Sequence, residues 1–214
     1  MILCISMFMT VFEKFDAVIE ERKDFLTNLD SAIGDSDHGI NMKRGAKRIV
    51  DKMRDKNYAN CCEFLREVAM IFISVVGGNV GPLYGTFFMK VAQKLGEASD
   101  ISNDELADAM LEGLGGVMTL GKSSVGDKTM VDALHPAITA LKENVPQGGE
   151  VAWNSAAEAA KKGMESTISL ISNRGRSSIL GERSIGHQDP GATSSYYLIS
   201  SFRDAFLDIN SSID

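Results

Sequence analysis

Residues 8–29 read FMTVFEKFDAVIEERKDFLTNL, and their apolar positions Phe8, Val11, Phe12, Phe15, Val18, Ile19, Phe25, Leu26 and Leu29 recur at steps of three and four. That spacing lines one face of an α-helix, whose side chains come back to the same side about every 3.6 residues. The pattern returns at Phe64, Leu65, Val68, Ile71, Phe72, Val75 and Val76, and again at Met130, Val131, Leu134, Ile138, Leu141 and Val145. Strand-like alternation of period two is almost absent. The expected class is therefore all-α.

Working outward from that first helix, breakers divide the chain into eight helices near 6–32, 40–56, 60–76, 82–98, 103–119, 128–145, 150–172 and 190–210. Ser102 precedes Glu105 in a capping-box arrangement, Gly81-Pro82 offers proline at a first helical position, and Asp189-Pro190 adds an N-cap carboxylate to the same device. Pro136 is expected to kink the sixth helix. No repeat, low-complexity tract or long linker splits the chain, so residues 1–214 read as a single domain. The longest non-helical stretch, NRGRSSILGERSIGHQ at 173–188, is rich in Gly, Ser and Arg and suits an anion-facing lid as well as a mobile surface loop.

Composition narrows the function classes. With 44% hydrophobic and 24% charged residues, a 214-residue chain needs neither disulfides nor a structural metal to build a core. A net charge of −7 argues against a sequence-independent nucleic-acid binder and against docking on anionic membranes. Cys4 and the adjacent pair Cys61 and Cys62 make a poor disulfide framework and fit a reducing compartment. The apolar opening MILCISMFMTVF lacks a basic n-region and a cleavage site, and no apolar run approaches the ~20 residues of a membrane span. A cytoplasmic protein is expected.

The sharpest local signal is LDSAIGDSDHGINMKRG, residues 29–45, where Asp30, Asp35 and Asp37 stand beside His38 and Asn41. Three carboxylates this close repel one another unless hard cations neutralise them, and oxygen ligands suit magnesium, calcium or manganese. Asp35 and Asp37 alternate about Ser36 and can face one way, while Gly34 and Gly39 permit sharp turns. An EF-hand starting at Asp35 would need glycine and glutamate where Ile40 and Ala46 stand. A phosphatase with an Asp-x-Asp pair would need a preceding apolar strand. A solvated acidic turn is the plain alternative.

Three further stretches accompany it. VVGGNVGPLYGT at 75–86 joins two helices through Gly77, Gly78 and Gly81, whose backbone N–H groups could approach a phosphate next to a helix start. GKSSVGDKTM at 121–130 places Asp127 as an N-cap, with Lys128 and Thr129 in the first helical turn, where lysine makes sense beside an anion. GRSSILGERSIGHQDPGATSS at 175–195 gathers Arg176, Arg183, His187 and a capped helix start.

Together, IGDSDHGINM, GPLYGTFF, GDKTM followed by DALHPA, and LGERSIGHQDPGATSS resemble the nucleotide-binding L subunit of the dihydroxyacetone kinase family across residues 29–195. The resemblance implies an antiparallel up-down barrel of eight helices, with the nucleotide at one end beneath a lid and, in some members, a lipid inside. It implies that Asp30, Asp35 and Asp37 hold two Mg2+ ions and that His38, Gly39 and Asn41 belong to a phosphate-contacting turn. Gly78, Asn79, Val80 and Gly81 would form the phosphate loop, Gly121, Thr129, Met130 and Arg176 would contact ADP or ATP, and Asp189, Pro190 and Gly191 would close the edge. Two magnesium ions against three carboxylates leave roughly one positive charge, so Arg176 and His38 are expected, as catalytic groups, to help meet the phosphates.

In such enzymes dihydroxyacetone is carried by a separate K subunit, so no substrate-binding histidine is expected in this chain. A short separate L chain favours the phosphotransferase-system form, in which bound ADP is rephosphorylated by a phosphohistidine-carrying third subunit. An ATP-dependent dihydroxyacetone-type kinase and a noncatalytic nucleotide-binding partner stay open, as does a homodimer. The family's usual phosphate-loop serine is replaced here by Val80.

Overall fold

The computed structural model describes residues 3–98 and 100–211. Within them run α1 (Ile5–Ile33), α2 (His38–Asp55), α3 (Cys61–Val75), α4 (Val80–Leu95), α5 (Asn103–Gly121), α6 (Met130–Asn144), α7 (Gly149–Ser166) and α8 (Pro190–Ser211). No strand occurs among the described residues; one antiparallel bridge joins Leu3 to Ile101. No helix of the described residues is long and apolar enough to cross a membrane.

Each helix packs on the next in sequence, and α8 returns to pack on α1, with α6 also touching α8. The interior of this ring is aromatic. Phe12 of α1 meets Phe64 of α3 at 5.8 Å and Phe88 of α4 at 5.4 Å, while Trp153 of α7 stacks on Phe202 of α8 at 5.4 Å. Phe8, Val11, Phe12, Phe15, Ile19 and Leu26 are fully buried, as their spacing requires. Phe25 departs from expectation and is 45% exposed. Leu26 lies 18 residues beyond Phe8, five turns of about 3.6, so it regains that face while Phe25 falls roughly 100° short of it.

Helix ends follow local chemistry. Ser102 and Glu105 form the expected reciprocal capping box at α5. At α3, Asn60 accepts a hydrogen bond from Glu63 N at 2.9 Å. The expected Asp127 cap of α6 is corrected: Thr129 is the N-cap, in a box with Asp132, because Lys128 takes a left-handed φ of 61° and delays helix entry. Asp127 instead accepts from Ser124 N in the preceding turn. α4 starts at Val80, so Pro82 is its third residue, where a missing N–H still costs no helical bond.

α7 ends at Ser166, earlier than expected, in a short 3₁₀ turn at Thr167–Ser169. The stretch expected to be non-helical contains 3₁₀ turns over Arg176–Ser184, interrupted at Gly181 with φ 54°. α6 is continuous through Pro136. Proline removes the partner of the Asp132 carbonyl four residues back. Gly163 of α7 packs on that carbonyl so closely that a Cβ there would lie 2.0 Å from its oxygen.

Candidate functional site

The starts of α2, α4, α6 and α8 and the ends of α1 and α5 meet around a cavity of about 400 Å³. Successive helices therefore run in opposite directions, and four positive helix N-termini face one space. An anion is the natural guest of such a field.

The acidic turn sits at the end of α1. The ligand oxygens of Asp30, Asp35 and Asp37 lie within 4.8 Å of one another, a spacing that hard cations can bridge. Buried Asp30 also caps α2 from a distance, its Oδ2 accepting from Asp37 N at 2.9 Å and His38 N at 3.1 Å. Gly34 is needed for a reason different from turn flexibility, since a Cβ there would lie 2.0 Å from Asp30 Oδ1. Ser36 takes the left-handed position instead, at φ 66°, with its hydroxyl 2.8 Å from that of Ser31. Asp35 is ion-paired with Arg176 from the 3₁₀ segment. The donor set of three carboxylates, one restrained by backbone donors and one by a guanidinium, fits a magnesium site.

His38 is buried at the start of α2, and burial depresses its pKa to about 4 against the attraction of Asp30 and Asp37. It is thus neutral near pH 7, which corrects the expectation that it adds positive charge. Ser194 Oγ lies 3.1 Å from Gly191 O, to which it can donate. His38 Nε2 and Tyr84 Oη each lie 3.0 Å from Ser194 Oγ and hydrogen-bond to it. Tyr84 Oη also hydrogen-bonds Ser195 Oγ at 3.0 Å, and burial lifts its pKa to about 12. This network holds the His38 ring through Nε2 and leaves Nδ1 without a protein partner among the described residues.

Asn41, Gly78, Asn79, Val80, Gly121, Thr129, Met130, Arg176, Asp189, Pro190 and Gly191 all line the cavity, together with the acidic triad and His38. Gly78 has φ 67° and open space beside it, as a loop glycine should. Gly39 and Gly81 do not line it. A Cβ at Gly39 would lie 2.1 Å from Lys23 O, and one at Gly81 would lie 2.2 Å from Val76 O, so both serve close helix packing. From the stretch between α7 and α8, Arg174 and Arg176 reach the wall, whereas Arg183 and His187 do not. Asp189 caps α8 through Ala192 N at 2.6 Å, and burial raises its pKa to about 7.

Lys128 has a role that the sequence conceals. It is almost fully buried, and its ammonium donates to the carbonyls of Thr167 and His187. Those carbonyls lie at the two ends of the segment carrying Arg174 and Arg176, so Lys128 clasps both feet of that segment. Asp189 N donates to Thr167 Oγ1 at 3.0 Å and Gly186 N to Ile168 O at 2.7 Å, closing the same junction. Burial lowers the Lys128 pKa, with Asp189 and Asp132 opposing. The only sequence signal for this role is its unusual place in a helix-start motif.

A family profile described as the DAK2 domain matches residues 32–204. The chain is 39% identical over 184 residues to the ADP-binding subunit DhaL of the PEP-dependent dihydroxyacetone kinase of Escherichia coli (strain K12), covering 85% of this chain and 88% of that one. It is 40% identical over 193 residues to the ADP-binding subunit DhaL of PEP-dependent dihydroxyacetone kinase 2 of Listeria innocua, covering 88% and 89%. The dihydroxyacetone kinase of C. freundii, crystallised with AMP-PNP and Mg2+, superposes with a TM-score of 0.74 at 23% identity over 96% of this chain. This chain spans 35% of that kinase's length, and the likeness is one of fold.

Proposed function

The chain belongs to the DAK2 domain family, and from that membership we propose that it is the ADP-binding subunit of a dihydroxyacetone kinase. In this reading ADP stays bound, receives a phosphoryl group from a phosphohistidine-carrying subunit, and passes it to dihydroxyacetone held on a separate K subunit. The observation that carries it is the convergence of Asp30, Asp35 and Asp37 in a cavity faced by four helix N-termini. The PEP-dependent E. coli and Listeria innocua relatives, matched over most of their length, support the retained-ADP form.

Asp30, Asp35 and Asp37 would hold magnesium, two ions in this reading. Bound there, magnesium supplies countercharge to the phosphates. The chain's own residues position and neutralise: Arg176 swings its guanidinium between Asp35 and phosphate, Asn41 and the 78–81 backbone donate hydrogen bonds, and Gly121 and Met130 flank the nucleotide. Val80 brings no hydroxyl to the loop, so donation there rests on backbone N–H groups and Asn79. The Lys128 clasp holds the Arg176 segment over the cavity. The closed sequence of helix contacts supports an eight-helix up-down barrel as one domain, 1–214. Exposed Ile40, Leu120, Ile179 and Ile185 at this end supply apolar surface for partner subunits in the cytoplasm.

The test is mass spectrometry of freshly denatured protein purified without added nucleotide, followed by transfer assays with a K subunit. Stoichiometric ADP and phosphohistidine-dependent turnover are expected. Empty protein that turns over with free ATP would replace this reading by the ATP-dependent one; no magnesium-dependent nucleotide binding at all would end both.

A further inference from the structure

Arg44 stands outside the cavity wall, one helical turn beyond Asn41 on α2. Its guanidinium nevertheless reaches two atoms that shape the wall. Nη2 donates to Asn41 Oδ1 at 2.7 Å, and Nε donates to Val75 O at 2.9 Å, the last residue of α3 before the glycine loop. A guanidinium has no lone pair, so the amide atom that it meets must be the oxygen. The orientation of the Asn41 amide is thereby decided by chemistry and not by an arbitrary choice between its two ends.

With Oδ1 taken, Nδ2 is the free end of the amide, and among the described residues it has no acceptor. Asn41 is buried and lines the cavity, so two N–H donors are left at the wall. The neighbouring chain is held to the same face. A Cβ at Gly77 would lie 3.0 Å from Asn41 Nδ2, and one at Gly45 would lie 2.3 Å from Val76 Cγ2. The stretch 75–77 therefore lies against Asn41, Arg44 and Gly45, and Arg44 ties its carbonyl end to the amide.

We infer that Arg44 is a positioning residue for phosphate binding: by occupying Asn41 Oδ1 it presents Nδ2 as a donor to the nucleotide's phosphates, and by holding Val75 O it sets the root of the glycine loop. This rests on the nucleotide-binding reading above. Without Arg44 the amide is free to turn its oxygen toward the anion, which repels it. The major route of the effect runs through Asn41, because the Val75 carbonyl lies at a helix end where water can replace the lost donor.

The experiment is calorimetric titration of nucleotide-stripped protein with magnesium–ADP for the parent, Arg44→Gln, Asn41→Ala and the double variant, with thermal melts alongside. Arg44→Gln should bind about tenfold more weakly, the scale of losing one charge-assisted orienting bond. Its melting temperature should stay within about 2 °C of the parent, since the residue is exposed at the surface. The double variant should bind no more weakly than Asn41→Ala alone, an outcome that a merely structural role would not produce. Additive losses, or parent-like binding by Arg44→Gln, overturn the inference. Asn41→Asp keeps the Arg44 contact but lacks the donors, so it should lose at least as much affinity; parent-like binding there also overturns it, even if Arg44→Gln fails to fold. A parent that binds no nucleotide sinks the functional reading and this inference together, whereas a binding parent with an indifferent Arg44 sinks this inference alone.

Discussion

The two ends of the helical bundle obey different rules. At the end where α1, α3, α5 and α7 begin, the starts of α3 and α5 are closed by side chains, Asn60 with Glu63 and Ser102 with Glu105, and Leu3 pairs with Ile101. At the cavity end, Thr129 and Asp189 cap α6 and α8, whereas Asp37 and Asn79 make no cap bond through their side chains. The three described non-glycine residues with left-handed φ, Ser36, Lys122 and Lys128, are all there. So are the buried carboxyl, imidazole and ammonium groups of Asp30, His38, Lys128, Asp132 and Asp189. One end is built for stability. The other holds left-handed backbone and buried ionisable groups, the features that the proposed nucleotide site would use.

The largest effect should come from removing the charge that defines the cavity end. Asp35→Asn and Asp37→Asn are expected to fold normally yet lose magnesium-dependent ADP retention, with phosphoryl transfer falling roughly 100-fold or more. Asp30→Asn should do the same and also lower the melting temperature, because Asp30 accepts two backbone N–H groups of the α2 start. Exposed Glu112→Gln serves as control. Transfer at the parental rate in all three Asp variants would remove the distinction between the two ends.

The next test separates two kinds of glycine within the cavity end. Gly39→Ala forces a Cβ to 2.1 Å from the Lys23 carbonyl, so α1 and α2 must part. A loss of about 1–3 kcal/mol in denaturant unfolding is expected. Gly78→Ala meets no atom within 4 Å and bears only the strain of φ 67°. It should cost about 1 kcal/mol and act chiefly on nucleotide binding. Equal destabilisation would show that the two glycines share one role.

Buried charge at the cavity end also gives a pH signature in magnesium-free buffer. His38 titrates at about 4 when folded against 6.5 as a model group, so its contribution grows as pH rises from 4 to 6.5. Asp189 titrates at about 7 against 3.8, so the folded state holds its proton longer and its contribution falls as pH rises from 3.8 to 7. The two oppose each other over the shared window. Asp189→Asn removes the falling contribution, so between pH 4.5 and 6.5 the variant's unfolding free energy should climb relative to the parent. The upper bound is about 1.4 kcal/mol per pH unit. Parallel profiles would mean that Asp189 is ionised in the folded chain throughout.

The smallest effect is expected at Val80. Val80→Ser restores a hydroxyl at the first residue of α4, and transfer should stay the same or rise by about threefold, within the range of one weak neutral donor. A loss of transfer with unchanged ADP binding would show that the loop does not turn its backbone N–H groups toward the phosphates.

Much of the site could be read in advance because its parts are local. Asp30, Asp35 and Asp37 fall within eight residues at the end of a periodic helix, and their mutual repulsion is a property of the sequence itself. The helices were equally legible, since amphipathic spacing is set by neighbours three and four positions away. Their ends were read less well: Asp127 stood where a cap belongs, but the left-handed turn at Lys128 moved the cap to Thr129.

What the sequence alone determined was the helical class, the acidic cluster and the family resemblance, all of which depend on short-range order along the chain. Only the tertiary structure decided that Gly39 and Gly81 pack helices, that His38 is neutral, and that Lys128 clasps Thr167 and His187. The reason is physical. Desolvation, close backbone approach and the partner of a buried ammonium are set by groups up to 59 residues away in the chain for Lys128 and 156 for His38. Sequence spacing holds no information on distances that arise only when helices close on one another.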